Sequence, residues 1–358
     1  MPIPDLSQFE KSGAIKNAKF TWIKQTATGD MWPVTWADDG KLYCGAGDNC
    51  GTPGANLPFS AMNLWSAEGD PKEPDVKLVH HMPVDPDIYC QGENVHKKYG
   101  VKPAGLICLD GILYMSVQNI NYGDNPPFNR QHNLNGWIIT SADYGKTWDC
   151  NATPQNFFTG RVSSCHFVQF GQGNGCVKDG YVWAYFPCGT ESDDSWWCNG
   201  DGMLLGRVKA ESLLDRSAWT FYTRATFGGF FTEDYSQAVP VFEFTHFTGE
   251  NHVSYNPHIK KYIMGNYAFY DPATGLPRPY HTEPHREYVT QLSLFEASQP
   301  WGPFKLFYSE DNWLTGGYQP AFPVNWMDPG GRGMVMLGSG NNEYYCFVTQ
   351  GLEYEWAD

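Results

Sequence analysis

The feature that most constrains the fold of this chain is a hairpin pattern that recurs five times along it. In each copy a polar or Pro-containing opening leads into an apolar strand, a turn follows, and a second strand rich in Tyr, Met or Trp completes the hairpin. The turns carry Asp-Gly, Asn-Pro or Asp-Pro-Gly sequences, which are strong short-range signals for hairpins. The copies begin near residues 31, 102, 163, 252 and 321.

This spacing predicts an all-β fold, a five-bladed β-propeller that forms a single domain over residues 1–358. The copies lie about 60 to 90 residues apart, which leaves room for a four-stranded blade with long loops. Aromatic residues make up 16 % of the chain, and 38 Gly and 25 Pro supply turns, as expected for strands and their connections. The alternative is a two-sheet sandwich, which also contains many hairpins.

A second motif supports the propeller. The segment Ser141-Ala-Asp-Tyr-Gly-Lys-Thr-Trp148 matches, at every defined position, the Asp-box that closes outer hairpins in sialidase-like propellers. In such a turn we expect Asp143 to accept hydrogen bonds from local backbone donors and Gly145 to adopt a positive φ. Trp148 is expected to pack between sheets. This motif predicts architecture, and its residues are not candidates for catalysis.

Charge and hydropathy exclude some classes of partner. The 39 acidic and 24 basic residues give a net charge of −15, which repels phosphate backbones and makes nucleic acid an unsuitable partner. No apolar run reaches the roughly 18–20 residues that a membrane span needs, and the first residues lack the basic and apolar regions of a signal peptide. We expect a monomer that binds neither nucleic acid nor a membrane.

Ten cysteines and the sequon Asn151-Ala-Thr153 favour an extracellular or secreted protein, with a cytoplasmic location as the alternative. The cysteines near loops are the disulfide candidates: Cys44 with Cys50, and Cys176, Cys188 and Cys198. Those inside strands are expected to be small buried hydrophobic residues. Zinc-type Cys and His spacing is absent from the sequence, so no cofactor is predicted, and a structural Ca²⁺ in the channel stays an open alternative.

The residues that open the five repeats are the candidates for a functional site. In a propeller the first strand of each blade lines the central channel, and polar groups there would be costly if they were buried without partners. Three acids are predicted to be catalytic because glycoside cleavage needs paired carboxylates, which a third can tune: Asp30, Asp48 and Glu250. Seven further residues are predicted to bind substrate: Trp32, Lys102, Arg161, His166, His252, Tyr318 and Gln319.

Several of these segments resemble the formerly uncharacterised propeller domains grouped with bacterial endo-D-arabinanases. Those are similar in turn to five-bladed arabinanase and invertase-type glycosidases. The family's first-blade Asp matches Asp30, and its Gly-Asp at the end of the next strand matches Gly47-Asp48. Its fourth-blade Glu-x-Ser-x-x-Tyr-Asn matches residues 250–256, although His252 stands where the family has Ser.

The resemblance implies a glycoside hydrolase that acts on a plant or microbial polysaccharide or oligosaccharide. Two alternatives remain open on the sequence. One is a uronate-specific polysaccharide lyase, in which Arg161 or Lys102 neutralises the substrate and a His or Tyr removes a proton. The other is a non-catalytic sugar-binding propeller that uses tryptophans such as the Trp196–Trp197 pair as platforms.

Overall fold

The structure is a computed structural model that describes residues 3–48, 60–82, 100–120, 132–177, 179–224, 230–277, 288–341 and 344–357. Within these ranges the regular structure is β-strand, apart from single-turn 3₁₀ helices. The strands in chain order are β1 Ile15–Thr28, β2 Asp30–Trp36, β3 Leu42–Gly47, β4 Met62–Glu68, β5 Asp75–Met82, β6 Val101–Leu109, β7 Ile112–Ile120, β8 Asn133–Ser141, β9 Phe158–Thr159, β10 His166–Phe167, β11 Tyr181–Cys188, β12 Gly200–Lys209, β13 Thr220–Tyr222, β14 Phe231–Thr232, β15 Phe242–Thr248, β16 Val253–Asn256, β17 Lys261–Tyr270, β18 Val289–Ala297, β19 Lys305–Glu310, β20 Tyr318–Ala321, β21 Gly333–Asn341 and β22 Tyr344–Trp356. The 3₁₀ helices are Gly160–Val162, Gln172–Asn174, Ala210–Ser212, Arg216–Ala218, Tyr235–Gln237, Trp313–Thr315 and Val324–Trp326.

The strands form five antiparallel sheets that are the blades of a β-propeller. The blade orders are β2-β3-β4-β5, β6-β7-β8-β9, β10-β11-β12-β13-β14, β16-β17-β18-β19 and β20-β21-β22-β1, and β15 pairs with β12 in the third blade. Each predicted hairpin is the innermost strand pair of one blade, so the all-β five-bladed prediction is confirmed.

The fifth blade is built from both ends of the described chain. Strand β1 pairs with β22 from Ile15 opposite Trp356 to Thr28 opposite Cys346. The first strand is therefore the outermost strand of the last blade, and this pairing closes the ring.

Aromatic side chains fill the wedges between blades. Between the first and fifth blades, Trp32 is fully buried and packs edge to face on Trp65 and Phe347, with ring centroids 6.2 and 5.0 Å away. Its indole nitrogen donates to the Cys346 carbonyl at 3.2 Å. Full burial of such large rings contributes roughly 2–3 kcal/mol each, which explains why the chain carries so many of them.

The turn that follows β8 has the local contacts expected of its sequence. Asp143 accepts hydrogen bonds from the Thr147 backbone amide at 2.9 Å and the Thr147 hydroxyl at 2.7 Å. These bonds lower the pKa of Asp143 to about 2. Gly145 has a φ of 88°, and a Cβ there would clash with Leu64 of the first blade. The assignment of this turn to the Asp-box class stays a prediction.

The disulfide predictions are wrong for three cysteines. Cys44, Cys176 and Cys188 are free thiols, and Cys50 lies outside the described residues. Cys44 lies inside strand β3 and Cys188 is the last residue of β11. Both are fully buried, and burial raises the pKa of the Cys188 thiol to about 12. They act as small hydrophobic residues. No helix in the described ranges has the length and apolar character needed to cross a membrane.

Candidate active site

The residues at the starts of the innermost strands lie close together in the structure. Asp30 is the first residue of β2, and Lys102 lies at the start of β6. His166 begins β10, Glu250 precedes β16 by three residues, and Gln319 is the second residue of β20. Hydrogen bonds connect these groups across blade boundaries, so the predicted convergence of strand starts is seen in the geometry.

Glu250 is the most heavily hydrogen-bonded carboxyl group of this cluster, and it is fully buried. Oε1 accepts from Asn133 Nδ2 at 3.2 Å and from the Ser164 hydroxyl at 3.1 Å. Oε2 accepts from Gln118 Nε2 at 3.0 Å and from Gln319 Nε2 at 2.5 Å. The donors come from the second, third and fifth blades. Because a carboxylate offers about four lone-pair sites, these bonds saturate it and offset the cost of burying its charge.

Two histidines lie beside Glu250. His166 Nε2 is 2.8 Å from the Ser164 hydroxyl and 3.7 Å from Glu250 Oε1. The His252 ring packs edge to face on the His166 ring, with centroids 5.2 Å apart. Burial and the neighbouring His166 hold the pKa of His252 well below its usual range. His166 Nδ1 and His252 Nε2 are both buried and have no hydrogen-bond partner among the described residues.

Asp30 is the second buried carboxyl group, 5 % exposed. Its Oδ2 accepts from the Tyr318 hydroxyl at 2.8 Å, while Oδ1 has no partner among the described residues. Burial, and then the negative charge of Asp48, raise the pKa of Asp30 to about 7, although Lys102 and Tyr318 act in the opposite direction. A side chain at Gly47 would clash with Asp30 Oδ1, so this glycine makes room for the carboxyl group. Asp30 can therefore exchange a proton near neutral pH.

Asp48 and Lys102 form an ion pair next to Asp30. The Lys102 ammonium contacts Asp48 Oδ1, and Lys102 is almost completely buried. A buried ammonium is tolerated because it is paired with a carboxylate. Asp30 thus lies beside one positive and one negative charge that largely cancel each other.

Consecutive residues of β20 connect the two buried carboxyl groups. Tyr318 donates to Asp30, and Gln319 donates to Glu250. Side chains of neighbouring residues normally point to opposite faces of a strand. Here Gln319 has a φ of 49°, and the pairing register of β20 with β21 shifts between Tyr318 and Ala321. Such an irregularity re-aims side chains, and it directs both residues into the site.

Aromatic residues surround this cluster. The Trp197 ring packs against the Tyr318 ring at 5.6 Å, and the Tyr267 hydroxyl donates to the Trp197 carbonyl at 2.6 Å. Tyr345 is 48 % exposed, and partial burial of its hydroxyl together with the charges of Asp30 and Asp48 raises its pKa. Trp196 and Trp197 are only 4 % and 8 % exposed, so they do not present the open ring faces that a sugar-binding platform needs.

One predicted substrate-binding residue, Trp32, lies elsewhere, and a second, Arg161, makes contacts of its own. Trp32 is fully buried in the wedge between blades, where a substrate cannot contact it, and the prediction is corrected. Its size and hydrophobicity fit the wedge better than the channel. The Arg161 guanidinium contacts the Ala238 carbonyl at 3.4 Å and the Cys188 sulfur at 4.0 Å. These are its contacts within the third blade, and its role as a substrate-binding residue stays a prediction.

Three donors to Glu250 did not emerge from the sequence: Gln118, Asn133 and Ser164. Gln118 and Asn119 form a buried polar pair near the end of β7, and such a pair in a mostly apolar strand is a signal that could have identified Gln118. Ser164 is adjacent to Ser163, which opens the third repeat, and only the structure shows which of the two hydroxyls contacts Glu250. Within the described ranges no group of three or more His, Cys, Asp or Glu is arranged to hold a metal ion.

No protein-family model and no curated protein sequence matches this chain. Among solved structures, the chain is similar to a proposed hydrolase from Bacteroides ovatus, with a TM-score of 0.55 and 12 % identity over 98 % of this chain and 96 % of that one. It is also similar to the RS223 beta-xylosidase, with a TM-score of 0.52 and 10 % identity over 93 % and 94 % of the two chains. The structural neighbours include five-bladed β-propeller glycoside hydrolases, and the expected resemblance to that fold is confirmed. The link to endo-D-arabinanases stays a prediction.

Proposed function

We propose that this protein is a glycoside hydrolase whose axial site uses Asp30 and Glu250 as its paired carboxyl groups. The observation that carries the proposal is Asp30: a buried carboxyl group with a pKa near 7 and one oxygen without a partner in the described chain. A group of this kind at a channel mouth can take a proton from water or attack a sugar. The beta-xylosidase with the same fold supports the choice of reaction class.

In this proposal Asp30 acts as the base or nucleophile in its ionised form. Tyr318 donates to one oxygen and leaves the other for water or the anomeric carbon. Asp48 does not contact the substrate bond but raises the pKa of Asp30, which is the tuning role that a third carboxylate can have. Lys102 limits this effect because it neutralises Asp48.

Glu250 acts as the acid that protonates the leaving oxygen, so its carboxylate, which accepts four hydrogen bonds in the ligand-free site, must first bind a proton. For this step a substrate oxygen must replace one of its four donors, and contacts in a ligand-free site often rearrange in this way. Glu250 and Asp30 are linked through adjacent residues of one strand, which supports their assignment to a single site.

The charge distribution favours a neutral sugar as substrate. Lys102 is paired with Asp48, and Arg161 contacts a backbone carbonyl and a thiol. The two cations that a uronate lyase would use to neutralise a carboxylate are therefore engaged elsewhere, so this alternative has less support than hydrolysis.

The experiment is product analysis with the full chain. Neutral and uronate-containing polysaccharides, together with a set of 4-nitrophenyl glycosides, are incubated with the protein and with D30N. We expect new reducing ends from a neutral polymer, no absorbance near 235 nm, and loss of turnover in D30N. Absorbance near 235 nm from a uronate polymer would identify a lyase, because elimination leaves an unsaturated sugar. Sugar binding without turnover by either protein would identify a lectin.

A further inference from the structure

Three aromatic side chains lie together at the outer edge of the third blade. Tyr222 belongs to β13, Phe230 directly precedes β14, and Trp301 lies in the turn between β18 and β19 of the fourth blade. Their ring planes are parallel to within 12°, and the three distances between ring centroids are 6.4, 6.0 and 6.2 Å. These three residues are called the aromatic platform below.

The centroid distances show that the three rings lie side by side. In a column of stacked rings the outer two would be twice as far apart as neighbours, whereas here the distances are nearly equal. Atoms of parallel rings in contact are about 3.5–4.0 Å apart, so these longer centroid distances leave most of each ring face uncovered by the other two. Phe230 is 57 % exposed, and Tyr222 and Trp301 are half-buried. The aromatic platform therefore presents ring surface to solvent.

Contacts within the third blade hold the aromatic platform in position. Tyr222 is paired with Phe231 in the ladder of β13 and β14, and the Phe231 ring packs edge to face on the Tyr222 ring at 5.8 Å. The buried Trp183 ring lies 6.3 Å from the Trp301 ring. The Arg207 guanidinium lies 3.8 Å from the Phe231 centroid, where the ring electrons attract it. Rings fixed in this way lose little further freedom when a ligand binds.

The aromatic platform is separate from the axial site. Strand β10, whose first residue His166 lies beside Glu250, is the innermost strand of the third blade, and β13 is the fourth. Three strand spacings place Tyr222 roughly 14 Å from β10 along the blade. A single sugar unit cannot contact both Glu250 and the platform across this distance. A ligand of the platform is therefore a second molecule or a distant part of a long chain.

From this geometry we infer that the aromatic platform binds a neutral polysaccharide and holds the polymer on the protein. The faces of aromatic rings are electron-rich, and they attract the C–H groups on the flat face of a sugar ring. The ring spacing is comparable to the length of one sugar unit, so neighbouring rings can contact neighbouring units. The net charge of −15 disfavours a uronate polymer or an anionic membrane. The choice of a polysaccharide rests on the proposed function, whereas the platform takes no part in the cleavage step.

The exposed area of the aromatic platform is too small for a stable protein partner. An aromatic side chain has a surface of up to about 250 Å², so three partly buried ones offer less than roughly 400 Å². A stable protein–protein interface buries about 800 Å² on each partner. A flat sugar chain needs only the ring faces, and the area therefore favours a polysaccharide over a second copy of this chain.

The test measures binding of the full chain to insoluble arabinan, uronate-free xylan and cellulose, with D30N as the parent so that no polymer is consumed. We expect F230A and W301A, each added to D30N, to weaken binding to at least one polymer about fivefold or more. F230Y keeps a flat ring and should retain the affinity of the parent. Leu276 is 62 % exposed, so L276A removes a comparable apolar side chain and should leave binding unchanged. Circular dichroism identifies any variant that is not folded.

Activity measurements separate the aromatic platform from the axial site. With Asp30 intact, F230A should hydrolyse the bound polymer more slowly but keep the wild-type kcat/KM on a 4-nitrophenyl glycoside, which is too small to span both sites. Parent-like binding in F230A and W301A, or no binding of any polymer by D30N, would overturn the inference even if hydrolysis is observed. Polymer binding that F230A weakens, without hydrolysis by the wild type, would support the platform and reject the proposed function. Self-association that F230A abolishes would instead assign the surface to a second copy of this chain and overturn the inference.

Discussion

Tyr318 donates its phenolic hydrogen to Asp30 Oδ2 at 2.8 Å, and both residues are more than nine-tenths buried. The bond joins the first strand of the first blade to the first strand of the fifth. The bond stabilises the ionised form of the Asp30 carboxyl group. Burial and the charge of Asp48 disfavour that form and raise the pKa of Asp30 to about 7. The proton affinity of Asp30 is thus set by a few identifiable contacts, and each can be changed separately.

Replacement of Asp30 by Asn should lower activity and raise stability. The pKa of Asp30 lies near 7 in the folded chain and near 4 in the unfolded chain. The wild-type protein therefore loses stability as pH rises from about 4 through about 7, by up to roughly 3–4 kcal/mol. D30N does not titrate, so its advantage in free energy of unfolding should grow across this window. Urea unfolding at pH 5 and pH 8 measures it, and an equal effect at both pH values would contradict the assigned pKa.

Replacement of Asp48 by Asn should move the acidic limb of the pH–activity profile to lower pH. The charge of Asp48 raises the pKa of Asp30, and Lys102, released from its ion pair, would favour ionised Asp30 further. Both effects lower the pKa of the base, so D48N should keep more of its maximal activity at pH 5–6. The profile of kcat/KM with the preferred aryl glycoside measures the shift. A limb that stays in place or moves upward would show that Asp48 does not tune Asp30.

Replacement of Tyr318 by Phe should move the same limb in the opposite direction. The variant removes the one hydrogen bond to Asp30 Oδ2 that the described residues provide, so the pKa of Asp30 should rise by about one unit. Y267F is a suitable control, because the buried Tyr267 hydroxyl donates to the Trp197 carbonyl rather than to Asp30. The control should leave the limb unchanged, and a matching shift in Y267F would assign the effect to general loosening of the site.

Replacement of Glu250 by Gln should destabilise the fold. A Gln amide places an NH₂ group where two donors now point at a carboxylate oxygen, as Asn133 and Ser164 point at Oε1. We expect a loss of about 2–4 kcal/mol in the free energy of unfolding. The exposed Glu353 provides the control, since E353Q should change stability by less than about 0.5 kcal/mol. Equal unfolding midpoints for E250Q and E353Q would show that the four hydrogen bonds to the Glu250 carboxylate do not stabilise the fold.

Deletion of residues 1–28 should prevent formation of a stable monomer. The deletion removes β1 and leaves β22 as an unpaired edge in the fifth blade, and an exposed edge strand promotes association between chains. Light scattering and urea unfolding should show aggregates or a broad transition. A monodisperse protein with an unchanged unfolding midpoint would show that the pairing of β1 with β22 is dispensable.

The sequence predicted the number of blades because each innermost hairpin has its own turn and apolar pattern. It predicted Asp30 and Glu250 for the same reason, since both stand where an apolar strand begins. It could not assign Trp32, because a Trp near a strand start has the same local pattern whether it faces the channel or the wedge between blades. Nor could the sequence show which of the two adjacent serines, Ser163 or Ser164, contacts Glu250. That depends on the backbone path just before the two-residue strand β10.

The pairing of β1 with β22 also has a consequence for biosynthesis. The partners Ile15 and Trp356 are more than 300 residues apart in the sequence, so β1 leaves the ribosome long before the strand with which it pairs. Contacts of such high sequence separation slow folding, and four blades can assemble before the ring closes. During that interval β22 has not formed, so β1 has no pairing partner and its backbone hydrogen-bonding groups face water. We therefore expect chaperones that shield exposed strands to raise the yield of this protein more than additives that merely stabilise its finished form.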